Sequence, residues 1–100
     1  MEEFSLRVIE IIRSIPEGKV SSYGRIAVLA GAPRGARQVA RLLHSSSRKH
    51  NMPWHRVVNS SGGISLEGDA GQIQRGLLEA EGVEFTTSGK VKLSAHLWEG

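Results

Sequence analysis

The stretch Pro53-Trp54-His55-Arg56-Val57 sets an indole, an imidazole and a guanidinium side by side, and it is the segment of the chain best equipped for recognition chemistry. Turn-forming residues flank it, Asn51 before and Asn59-Ser60-Ser61-Gly62-Gly63 after, so it reads as a loop with a task. A second set lies upstream. Arg34, Arg37, Gln38 and Arg41 recur at spacings of three and four, which puts them on one helix face, while Ala36, Val39, Ala40 and Leu43 make the opposite, core-directed face. Gly35, Ala36 and Ala40 are small enough for the backbone to come close, either to a ligand or to a packed helix. Tyr23 stands near the start of another helical pattern, either as a core aromatic or as a side chain presented outward.

Other chemistries are excluded. The chain has 100 residues and no cysteine, which removes disulfides, thiolate metal sites and a cysteine nucleophile. His44, His50, His55 and His96 are scattered without zinc spacing, and the three outside the Trp-His-Arg loop read as surface or helix-end residues. There is no phosphate-binding glycine loop, and neither a metal nor a cofactor is expected.

Charge points to a polyanion. The formal net charge is only +3, yet from Gly18 to Leu66 there are eight basic residues and no acidic one. All ten acidic residues lie outside that block. Such a block is either a solvated face or the footprint of a nucleic acid whose counterions are released on binding. No apolar stretch approaches the roughly 20 residues of a membrane span, and the Met-Glu-Glu start is unlike a secretory signal. A protein of the cytoplasm, without a membrane partner, is expected.

These residues need elements to position them. Phe4, Val8, Ile11, Ile12 and Ile15 predict an amphipathic helix over 3–15, ended by Pro16 and Gly18. Ser21 and Ser22 offer N-caps to a helix that stops at Gly31. Pro33 then predicts the first turn of a helix running to Ser45-Ser46-Ser47, giving a helix-turn-helix. A glycine-rich loop over 68–71 precedes a helix marked by Ile73, Leu77 and Leu78 and closed by Gly82. Residues 83–85 and 90–93 predict a small hairpin or wing. A single domain over 1–100 is expected, mainly α with a small β element.

At Pro53-Trp54-His55-Arg56-Val57 the chain resembles the Pro-Cys-His-Arg-Val active-site motif of the O6-alkylguanine-DNA alkyltransferases, with tryptophan in the cysteine position. That exchange marks the alkyltransferase-like proteins. The resemblance extends over nearly the whole chain, through Lys19-Val20-Ser21-Ser22-Tyr23-Gly24, Ala36-Arg37 and Leu77-Leu78-Glu79-Ala80-Glu81-Gly82. It implies a winged helix-turn-helix like the C-terminal domain of the DNA alkyltransferases, entering the minor groove. Arg37 would fill the stack in place of an extruded guanine, and Tyr23 would crowd the phosphate and help rotate the nucleotide out. Ser22, Arg34, Gln38 and Arg41 would contact DNA beside them. The flipped base would sit among Pro53, Trp54, His55, Arg56, Val57, Asn59, Ser60 and Glu81. General physics agrees: extrusion costs a few kcal/mol, and an inserted side chain that can stack and hydrogen-bond keeps the base from falling back.

In the alkyltransferases the thiolate accepts the alkyl group, with a histidine and a glutamate, matched here by His55 and Glu81, holding it activated. An indole N–H is a donor without a useful basic lone pair, so alkyl transfer to position 54 is not expected. The resemblance therefore implies a non-enzymatic sensor of O6-alkylguanine in duplex DNA. It would act as a monomer and direct the lesion to nucleotide excision repair proteins, of the UvrA type in a bacterium. It would be nucleoid-associated in a bacterium and nuclear in a eukaryote. Two other classes stay open. One is a sequence-specific helix-turn-helix regulator reading major-groove edges with Arg34, Gln38 and Arg41. The other is an enzyme using His55, Tyr23 or Glu81 on the adduct.

Two positions depart from the alkyltransferase pattern. Counting from Arg37, Ser46 falls where those enzymes usually have asparagine, and Glu67 where they usually have a pocket tyrosine. Loss of that aromatic predicts a pocket open to larger adducts. Duplexes carrying O6-methylguanine and bulkier O6-alkylguanines are expected to bind with comparable affinity in a fixed-salt titration, and strong preference for methyl would overturn this.

Overall fold

The first helix ends where its sequence makes it end. In the computed structural model, which describes residues 2–100, α1 spans Glu3–Ser14 and buries Val8, Ile9 and Ile12. Pro16 disfavours helical backbone at the residue before it, and Ile15 turns extended (φ −65°, ψ 118°) with its side chain still buried. The chain then runs into β1 (Ser21–Ser22) and directly into α2 (Tyr23–Leu29). Ser22 Oγ accepts from Arg25 N at 3.2 Å as the N-cap. Gly31, at φ +88°, closes α2 with the paired bonds Ala32 N to Ala27 O (2.9 Å) and Gly31 N to Val28 O (3.0 Å).

The next helix starts later than its proline suggests. Pro33 and Arg34 occupy the middle of a β-turn closed by Gly35 N donating to Ala32 O at 2.8 Å, and α3 spans Ala36–Ser46. Proline's fixed φ suits position two of such a turn as well as a helix start, so the residue type alone does not separate the two. A Cβ at Gly35 would lie 3.0 Å from Ala32 O and 3.1 Å from Phe4 of α1, close enough that a neighbour would have to give by a few tenths of an ångström.

The motif forms one 3-10 turn, Trp54–Arg56, leading into β2 (Val57–Val58). β1 and β2 pair in parallel, Ser21 with Val57 and Ser22 with Val58. Successive strand residues face opposite sides, and the two valines divide the interior accordingly. Val57 packs with α1, α2 and α3; Val58 packs with Val20, Leu78, Val83 and Val91.

The expected glycine-rich loop over 68–71 is instead the first turn of α4 (Gly68–Ala80), with Asp69 at the end of the helix where a negative charge is favourable. Gly82, at φ +85°, stops it, with Val83 N bonded to Leu78 O at 3.0 Å. The wing is a tight hairpin with one antiparallel bridge, Phe85 to Val91, and Leu93 opens α5 (Leu93–His96) rather than extending a strand. The final segment is tied down. Leu97 bridges Val20 in parallel and Trp98 N donates to Val20 O at 2.8 Å. Among the described residues, no helix is long and apolar enough to cross a membrane.

Two glycines of α4 separate helix propensity from packing. A Cβ at Gly71 would collide with the Leu66 carbonyl, whereas one at Gly76 meets nothing within 4 Å. Gly76→Ala should raise stability by about 0.5–1 kcal/mol. Gly71→Ala should lower it by about 1–3 kcal/mol, both read from urea midpoints.

Candidate nucleic-acid interface

Helices α2, α3 and α4 converge with the Trp54 turn on a cavity of about 180 Å³. Tyr23 reaches it from the first turn of α2, held there by the Ser22 cap and by packing against the larger core. Burial pushes the Tyr23 phenol above its ordinary value. From α3, Ala40, Leu43 and His44 line it, with Ser47 just beyond the helix, and Trp54, Leu66 and Gln74 complete the wall. Ala40 is the smallest side chain on that stripe and leaves room where a larger one would fill it.

Outside the cavity, α3 turns Arg37, Gln38 and Arg41 to solvent. Arg34 is exposed too, but it belongs to the β-turn before α3, so it does not share their helix face. Among the described residues none of these three arginines has a carboxylate partner; the ion pairs lie elsewhere. Ser22 is buried and its hydroxyl is committed to the cap.

The expected pocket residues separate into two groups. Trp54 lines the cavity and meets the His55 ring edge-on, with centroids 6.2 Å apart. Pro53, His55 and Arg56 border a shallower polar depression, which Trp54 also borders. Val57 is buried on the ladder and Asn59 is spent on its own turn, its Oδ1 accepting from Ser61 N, Ser61 Oγ and Gly63 N. Ser60 faces a different groove beside Ser22 and Gly24. Ser46 Oγ lies 3.3 Å from Ser45 Oγ, and Glu67 is exposed at the start of α4, outside the cavity wall.

Glu81 lies behind the motif rather than in the cavity. Its carboxylate accepts from Arg56 Nη2 (2.7 Å), Arg56 Nε (3.0 Å) and Gly18 N (3.0 Å), and its Oε2 lies 2.7 Å from His55 Nε2. Arg56 Nη1 continues to Ile15 O at 2.9 Å. Burial pushes the Glu81 carboxyl up, but the Arg56, Gly18 and His55 hydrogen bonds outweigh it and bring the pKa from 4.5 down to about 2.

Gln74 is the residue that sequence reasoning passed over. It is 2% exposed, and its Nε2 donates to His55 O (3.1 Å) and Val57 O (2.9 Å), pinning the motif backbone from α4. Its signal was a polar residue one turn before Leu78, on the buried stripe of an otherwise amphipathic helix. Among the described residues no three His, Asp or Glu side chains converge as a metal site.

Because folding lowers the Glu81 pKa, the carboxylate's contribution is complete above about pH 4.5 and fades as the pH falls toward 2. With screening allowed for, Glu81→Gln should cost roughly 2 kcal/mol at pH 7. The gap between wild type and variant in urea midpoint should narrow through that acid range.

Residues 3–83 match the family described as 6-O-methylguanine DNA methyltransferase, DNA binding domain. The chain is 47% identical over 97 residues to the Escherichia coli DNA base-flipping protein, covering 97% of the chain and 75% of that protein. It is 43% identical over 105 residues to alkyltransferase-like protein 1 of Schizosaccharomyces pombe, covering 99% and 97%. The crystal structure of S. pombe Atl1 with damaged DNA containing O6-carboxymethylguanine superposes with a TM-score of 0.84 at 40% identity, over 100% of this chain and 98% of that one. A methylated-DNA–protein-cysteine methyltransferase of Mycobacterium tuberculosis is 37% identical over 79 residues, spanning 79% of the chain and 48% of the enzyme. The enzymes' namesake cysteine has no counterpart in these 100 residues, and the chain is no alkyltransferase. With Trp54 in the acceptor position of a winged helix-turn-helix, it belongs to the alkyltransferase-like proteins of the methylguanine methyltransferase DNA-binding family.

Proposed function

We propose that the protein is a non-enzymatic sensor of O6-alkylguanine in duplex DNA. The observation that carries this reading is the cavity itself, walled by Tyr23 and Trp54 and opening beside a helix whose exposed face bears Arg37, Gln38 and Arg41. An aromatic-walled cavity next to a cationic helix suits a base taken out of the stack, because stacking and apolar contact replace the interactions that the base leaves. The basic block from Gly18 to Leu66 supplies the affinity for phosphates. The same chemistry is consistent with the E. coli relative's description as a base-flipping protein and with the damaged DNA bound by S. pombe Atl1.

In this reading α3 enters the minor groove, Arg37 takes the place of the extruded nucleotide, and Tyr23 crowds the phosphate from the start of α2. Trp54 provides apolar wall for the alkyl group. The chain has no thiol to accept that group, so the lesion persists in the complex and another system must remove it. Nucleotide excision repair fits, since it acts on a marked and distorted site rather than on one chemistry. The protein would then work in the compartment that holds the DNA.

The test is a fixed-salt titration of matched duplexes with and without one O6-methylguanine. Reversible preference for the lesion supports the sensor, and equal binding overturns it in favour of a sequence-reading regulator. Arg37→Ala should lose most of the discrimination between the two duplexes while keeping part of the affinity for undamaged DNA. Equal loss on both would reduce Arg37 to a phosphate contact.

A further inference from the structure

The cavity wall contains one ionisable base that the flipping reading leaves without a task. His44 stands in the last turn of α3 and lines the cavity with Tyr23, Ser47, Trp54 and Gln74. His55 and His96 are both tied into hydrogen bonds, whereas the His44 ring makes none among the described residues. The other walls offer little to an anion. The Gln74 amide donates both of its protons to the motif backbone, and Tyr23 and Ser47 bring only hydroxyls.

The charges around His44 can be named element by element. On α3, Arg41 stands three residues before it, and Arg48 stands four residues after it, beyond the end of the helix. From α2 comes only the Tyr23 phenol, and the Trp54 turn brings His55 and Arg56, both held by Glu81. Beyond Leu66 lies Glu67, exposed and outside the wall. No carboxylate lines the cavity among the described residues, so its charge surroundings favour an anion.

We propose that His44 is a specificity-determining residue of this cavity, favouring O6-adducts that end in a carboxylate over neutral adducts of the same shape. This rests on the base-flipping reading above. The probes are three duplexes, carrying guanine, O6-carboxymethylguanine and its neutral isostere O6-carbamoylmethylguanine. They are titrated at fixed salt and fixed pH 6 with the wild type, His44→Gln and His44→Lys. The wild type should prefer carboxylate over amide by about fivefold. In His44→Gln the two adducts should bind alike, and His44→Lys should keep the preference. The same carboxylate-to-amide ratio in the wild type and His44→Gln would overturn the assignment. Failure of the wild type to separate either adduct from guanine would instead overturn the flipping reading beneath it.

Discussion

A carboxylate shielded from water at the C-terminal end of a helix is disfavoured twice, by desolvation and by the negative end of the helix dipole. Glu81 sits in that place, at the C-cap of α4 and with 12% of its side chain exposed. It persists because three donors from distant parts of the chain converge on it: the Arg56 fork, the His55 ring and the Gly18 amide. Arg56 passes the connection on to the Ile15 carbonyl, just past the end of the first core helix. The end of α1, the turn before β1, the Trp-His-Arg motif and the end of α4 therefore share one anchor. None of them can shift alone without leaving a charge or a polar group unsatisfied where water is scarce.

That anchor fastens the loop whichever side chain stands at position 54. His55 bonded to Glu81 is an arrangement that holds an imidazole in one orientation, which matters to a neighbouring thiol and not to an indole. The two residues nevertheless keep their contacts, because the contacts also fasten the loop. The framework behind the loop makes no contact that depends on a thiol at position 54.

The parts legible in the sequence are those with a local signature. The Ser22 cap, the Gly31 and Gly82 stops, the exposed stripe of α3 and the motif itself can each be recognised within a few residues. The parts that escaped depend on where distant segments meet. A ladder of two residues on each side has no periodicity to detect, and Ser21-Ser22 is as plausible in a loop. Gln74 looks like an interruption in an apolar stripe until the His55 and Val57 carbonyls, nineteen and seventeen residues earlier, come to lie against it. Pro33 suits two local structures equally, and the misplacement of Arg34 on the helix follows from that. The resemblance places Arg56 and Glu81 among pocket residues, and only the fold shows that they face each other behind it.

The parallel ladder joins two short strands whose neighbours are the two aromatic walls of the cavity. Tyr23 follows β1 at once, and Trp54 opens the turn that leads into β2. Their separation is thus set by residue count and register, and is indifferent to which side chain stands at 54. An inserted or deleted residue between Trp54 and Val57 would slip the register and turn Val57 and Val58 toward the wrong cores. A substitution at 54 leaves every backbone bond of the ladder intact. The ladder thus makes the cavity a socket with an exchangeable insert: the side chain at 54 can change without moving the walls, while a change of length in the same few residues cannot.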